Sequence, residues 1–255
     1  MKKFSLLFLF LIMLFAACEK DPVSSNNGKA TVNFRAQYIS TSAAGQPTGF
    51  NKNSLADDAI TITRARFLVR NIKLRSVPED SVEFVSDPYI IDLNLDGQPT
   101  TITVGEVPAN TYDRIDFRVH RLDDDDPQDL AYFQHPDFVE FVDDSRYSMI
   151  IEGTVQEGTN PAETFEFRSR DNEKQRRFFN PVIVVDESTN QITVVFEFKG
   201  SDWFIGEDGS LLDPRDESNE NEISDNLRES IEIVEKKTVN DSNDDDGFSS
   251  EDDSY

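Results

Sequence analysis

The chain holds one cysteine, two histidines, three methionines and one tryptophan in 255 residues. A lone cysteine excludes an internal disulfide and a thiolate metal cluster, so the fold has to hold by packing. Two imidazoles leave little material for histidine-based catalysis. There is neither a Gly-x-Ser-x-Gly elbow nor another pattern of nucleophile, base and orienting group, and the sequence is read as non-enzymatic. Positive charge is scarce too: 25 Lys and Arg stand against 50 Asp and Glu, a net charge of −25. Such a chain repels phosphate backbones and anionic lipid, which excludes general nucleic-acid binding. Long apolar runs are also missing. The longest, Phe4 to Phe15, is shorter than the ~18 residues expected of a bilayer span.

That run reads as an export signal. Lys2 and Lys3 precede it, and Ala16-Ala17-Cys18 follows, small residues at a cleavage site ending in a cysteine. The ending resembles a bacterial lipobox. Residues 1–17 are therefore read as a lipoprotein signal peptide, with Cys18 as the lipidated residue and membrane attachment through its lipid. Residues 18–29, rich in Ser, Asn and charge, read as a flexible tether. Glu19-Lys20-Asp21 resembles the surface-export signals of Bacteroidota lipoproteins, favouring the cell surface over the periplasmic face of the outer membrane.

The remainder is rich in Phe, with 20 of them, which suits a pleated, half-buried interior. Ala30 to Tyr38 alternates apolar and polar residues, as a half-buried strand does. Ile60 to Arg75 continues strand character, but its apolar parity slips near Thr63-Arg64, which predicts a bulge or break. Further strand pieces are Val82 to Val85, Tyr89 to Leu93, Thr101 to Val104, Ile115 to Val119, Met149 to Val155, Phe165 to Phe167, Val182 to Val185 and Ile192 to Phe198. The spacing predicts an all-β fold, an antiparallel β-sandwich of roughly eight to ten strands over residues 30–205. For residues 206–237 a turn and a helix packed on the sandwich are expected, because Ile223, Leu227, Ile231 and Val234 share one helical face. Residues 238–255 are almost all Asp, Ser, Glu and Asn and read as an acidic disordered tail.

Several residues stand out as candidates. Tyr112, just before an alternating strand, has the placement of a tyrosine corner. Asn110 occupies a turn position where a left-handed conformation is expected. Trp203 is assigned to the core in preference to an exposed sugar platform. Arg121 to Ser145 interrupts the strand pattern for longer than a compact domain tolerates without a functional reason. Its Asp123 to Asp126 run is either a solvated loop or, through Asp123 and Asp125, part of a calcium site. Asp244 and Asp246 lie in a stretch resembling the start of an EF-hand loop, with the solvated tail as the alternative.

Three motifs carry a family resemblance: ITITRARFLVRNIKL from Ile60 to Leu74, YIIDL from Tyr89 to Leu93, and VPANTYDRIDF from Val107 to Phe117. They resemble a group of bacterial lipoproteins with a β-sandwich domain and are similar to the MbnP-like family, some members of which are associated with copper. The resemblance implies a sandwich over about residues 30–205, with copper as an implied cargo. His120, His135 and Met149 are the soft or borderline ligands of the mature chain, and they are not spaced as a motif. The sequence therefore leads to a binding or adhesion module whose loops take a glycan or protein ligand, with a calcium- or copper-binding envelope protein as the alternative.

Overall fold

The computed structural model describes residues 28–40, 59–77, 82–143 and 145–240. The signal peptide, Cys18, nearly all of the tether, Asp244, Asp246 and the tail beyond Asn240 lie outside them. Eleven strands are described: β1 (Lys29–Ile39), β2 (Ala59–Ser76), β3 (Val82–Val85), β4 (Tyr89–Asp92), β5 (Thr100–Pro108), β6 (Asn110–Val119), β7 (Met149–Gln156), β8 (Glu163–Ser169), β9 (Glu173–Val185), β10 (Thr189–Lys199) and β11 (Ile231–Asn240). One α-helix, α1 (Glu220–Glu229), precedes the last strand. No helix among the described residues is long and apolar enough to cross a membrane.

The strands form two sheets. One runs β11-β10-β1-β5 and the other β8-β7-β2-β6-β9, with β3 and β4 also paired to β2. The pairs are antiparallel except β1 with β10, which is parallel. β1 buries Ala30, Val32, Phe34, Ala36 and Tyr38 against the second sheet, the set its alternation predicts. Rings from both sheets meet between them: Phe34 and Phe117 lie 5.2 and 5.1 Å from Phe196, and Phe67 lies 4.9 Å from Phe198. Trp203 is fully buried beside Tyr38 and Phe67, and its indole N–H donates to the Ser230 hydroxyl at 2.8 Å. The Tyr112 hydroxyl donates to the Pro108 carbonyl at 2.9 Å, a bond that ties β5 to β6.

β2 is the spine of the larger sheet and keeps its apolar side inward through two phase slips. Its register against β7 shifts between Ile62 and Arg64, where the sequence parity changes. A second shift lies between Arg70 and Lys73, at Asn71 with φ 53°. Phe67 and Val69 before it, and Ile72 and Leu74 after it, all reach the core.

Two expectations need correcting. α1 stops at Glu229, and Ile231 begins a strand antiparallel to β10 rather than a further helical turn. Ile223 and Leu227 are the buried face of the helix, whereas Ile231 is buried from β11. A four-residue spacing puts residues on one face of a helix and also on one face of a strand, and the open edge of β10 decides between them. The sandwich thus extends to Asn240, past the expected boundary. Asn110 does not take a left-handed conformation; among the described residues, Asn71 and Arg146 are the non-glycine positions with positive φ. Asn110 opens β6 instead, its side-chain oxygen accepting the Thr111 N–H at 2.8 Å.

Candidate functional site

β6 and β7 meet end to end alongside β2 at Leu68. The Leu68 N–H donates to the Ser148 carbonyl at 2.8 Å, and the Leu68 carbonyl accepts the His120 N–H at 3.1 Å. The segment joining these strands, residues 121–147, leaves from this junction and folds back over the outer face of β2. It does so because that face is apolar here. Leu68 and Ile150 project outward and are covered by Leu122, Phe138 and Phe141, making a second buried cluster separate from the main core. The covering segment is a staircase of turns in which Asp126, Asp129, Tyr132, His135 and Phe138 each donate their N–H to the carbonyl three residues back, at 2.9–3.1 Å. Pro127 and Pro136 fit such turns because their fixed φ suits a turn's first central position. A short 3-10 helix, Pro136–Phe141, ends the staircase.

Two arginines of β2 lie under this cover, each 3% exposed. Buried charge needs partners, and the cover supplies them. The Arg70 guanidinium pairs with Asp129 and with Asp126 at 2.6 Å, and donates to the Arg121 carbonyl at 3.3 Å. Burial pushes the Asp129 carboxyl above its usual range, against the pull of the Asp123 N–H and Arg70. Arg66 pairs with Glu140 of the cover and with Glu152 of β7 at 2.6 Å, and lies 5.8 Å from the Phe141 ring centroid. Burial lowers the Arg66 pKa, as does neighbouring Arg64, against Glu152.

Between the cover and β4 runs an open groove of about 740 Å³. Its cover wall carries Tyr132, His135 and Phe138, whose rings contact one another at 5.1–6.3 Å. The sheet wall carries Arg64, Ile90 and Asp92, with Arg64 donating to Asp92 at 3.0 Å, while the Tyr89 side chain at its edge packs on the main core. Asp87, in the β3–β4 link, lies by both tyrosines; burial first, then Asp87, raises the pKa of Tyr132 and of Tyr89. Val139 stands 63% exposed on the lip. The groove therefore offers aromatic faces beside paired carboxylates and guanidinium, the surface that holds a polar ligand with apolar faces.

Of the sequence-predicted metal ligands, Asp123 and Asp125 are brought together. Asp123 and Asp125 share a turn with Asp124, with carboxylate oxygens within 4.8 Å of one another, whereas Asp244 and Asp246 lie outside the described residues. Much of the run already has partners. Asp124 pairs through both oxygens with Arg146 at 2.7 Å, Asp123 accepts the Asp125 N–H at 3.0 Å, and Asp126 holds Arg70. The copper set does not assemble. Met149 is buried in the main core, the His135 Nδ1 accepts the Asp137 N–H at 3.3 Å, and the His120 Nδ1 lies 2.6 Å from the Arg121 carbonyl and 3.4 Å from Arg70. These three residues do not fit a copper centre. Arg66 and Arg70 went unpredicted, although the alternation of Arg64, Arg66, Leu68 and Arg70 with Ala65, Phe67 and Val69 was available as a signal.

The MbnP family model matches residues 27–120, which span β1 to β6. The matched stretch ends where the cover begins. No curated protein and no solved structure matches the chain.

Proposed function

We propose that the protein is a non-enzymatic binding protein of the cell envelope, anchored at the outer membrane through a lipid on Cys18 and displayed on the cell surface, which holds a neutral glycan in the groove between β4 and the 121–147 cover. The observation that carries this is the groove itself. Tyr132 and His135, braced edge-on by buried Phe138, face Arg64 and Asp92 across about 740 Å³. Aromatic rings suit the apolar faces of sugar rings, and carboxylate and guanidinium groups take hydroxyl hydrogen bonds. Catalysis is not part of the proposal: Asp92 and Glu152, the carboxylates beside Arg64 and Arg66, are committed to those two arginines.

The test is calorimetric titration of the protein with cello-, xylo- and manno-oligosaccharides, repeated with Tyr132→Ala. Saturable binding to one series, weakened about tenfold or more by the substitution, supports the proposal. No binding to any series, or equal binding by the variant, refutes it. The second reading, calcium or copper cargo, rests on the Asp123–Asp125 turn and on the family match. It predicts a rise in melting temperature when either ion is added after chelation, because a ligand of the folded state stabilises by mass action.

A further inference from the structure

The other half of the larger sheet's outer face carries a charge opposite to that of the whole chain. Register across β2, β6 and β9 sets three rows: Arg75, Arg114 and Phe178; Lys73, Asp116 and Arg176; Arg70, Arg118 and Lys174. In a chain with twice as many acids as bases, these nine positions hold seven cations around one carboxylate. Like charges directly opposite one another destabilise a sheet. Here Arg75 faces Arg114, and Arg118 faces both Arg70 and Lys174. Internal pairing relieves part of this: Arg70 is paired with Asp126 and Asp129 beneath the cover, and Asp116 draws in Arg75 at 2.9 Å, Arg176 at 3.0 Å and Lys174 at 3.7 Å. Lys73 and Arg118 have no carboxylate partner among the described residues. Phe178 is 65% exposed at the edge of the field, with the Arg114 guanidinium 6.0 Å from its ring centroid.

We propose that this face binds an acidic polysaccharide, one carrying a carboxylate on its sugars. Cations recur about 7 Å apart along β2 and β9 and flank Asp116 on β6, with strands about 5 Å apart, an open field of roughly 14 by 10 Å. An open, repeating field suits an extended chain of repeating charge better than one small anion, which needs a concave site. The planar guanidinium forks of Arg118 and Arg176 match carboxylates bidentately, and the open ring of Phe178 gives a sugar an apolar face. The net charge of −25 does not cancel the field, because exposed charges beyond about 8 Å are largely screened at physiological salt. A membrane is a poorer occupant, since a lipid surface much larger than the field would also press on the acidic surroundings. This site is separate from the groove and stands without it.

The experiment titrates the full chain with polygalacturonate, with neutral dextran, and with phosphatidylglycerol vesicles. Polygalacturonate is expected to bind and dextran not to. Arg118→Glu with Lys174→Glu is expected to weaken polygalacturonate at least about tenfold, with Arg118→Lys weakening it less, since the charge stays and the bidentate fork is lost, and Arg35→Glu, on the other sheet, without effect. Raising salt from about 50 to about 200 mM should weaken binding steeply, a readout on the native chain that does not depend on the charge-reversed variant folding. The proposal is overturned if the native chain does not bind polygalacturonate, if a folded charge-reversed variant binds it as well as wild type, if binding is insensitive to salt, if Tyr132→Ala abolishes it, or if the vesicles bind and displace it.

Discussion

Replacing Phe141 by alanine should release the 121–147 cover while leaving the sandwich folded. Phe141 is fully buried in the small outer cluster with Leu68, Leu122, Phe138 and Ile150 and contributes nothing to the main core. Truncating a buried Phe costs about 3–5 kcal/mol. Spread over the whole fold, that loss would lower the melting temperature by about 10 °C in a protein of this size. The cluster is a satellite, however, so the loss should fall on local opening. Backbone amides of the cover, such as those of His135 and Phe138, should then lose two to three orders of magnitude of hydrogen-exchange protection, while amides of β10 change little. Oligosaccharide binding in the groove should fall with them, because Tyr132 and His135 lose their support. Native-state hydrogen exchange read by mass spectrometry makes the comparison. Unchanged protection in residues 121–147, or equal loss in the cover and in β10, would refute the satellite packing.

Arg70→Met should destabilise the protein by about 3–5 kcal/mol, because it leaves Asp129 buried beside Asp126 without its cation; adding Asp129→Asn should recover part of that loss in denaturant unfolding, and a double variant no more stable than the single one would contradict the pairing. Burial lowers the His120 pKa, with Arg70 and Arg118 adding to it against the Arg121 carbonyl. The unfolded chain takes up that proton near pH 6.5 and the folded chain only at lower pH, so stability should fall as pH drops through this range. His120→Asn should flatten the melting temperature between about pH 7 and pH 5, and an unchanged slope would sink the assignment. At Gly153, between β2 and β8, an added Cβ would lie 2.2 Å from the Thr61 carbonyl oxygen and 2.7 Å from the Phe165 ring. Gly153→Ala should cost about 3 kcal/mol, and a variant as stable as the parent would speak against the β2–β7–β8 register.

Much of the sandwich was legible because its signals are local. The alternation of β1 reached the core as read, and the parity slip near Thr63 became the register shift between Ile62 and Arg64. Tyr112 and Trp203 took the roles their positions suggested. The misses have a common cause in tertiary context. Nothing local to Ile231 says that β10 lacks a neighbour on one side, so a spacing shared by helix and strand was assigned to the helix. The first half of β9, EKQRRFF, was hidden because an edge strand can face water with charge. The long interruption after Arg121 was correctly marked as unusual, but its purpose was not visible. Its aspartates read as a cation site, and only the structure shows that Asp124 and Asp126 of the run hold Arg146 and Arg70. The outer-face cations were counted into a net charge rather than set on a sheet, which concealed both the buried arginines and the basic field.

The most direct test of the groove assignment is amide hydrogen exchange of the full chain with and without a saturating neutral oligosaccharide. The account predicts slower exchange in residues 87–92 and 132–140, on the two walls, with the β6 and β9 outer face unchanged. Protection confined to other loops, or none at saturation, would contradict it.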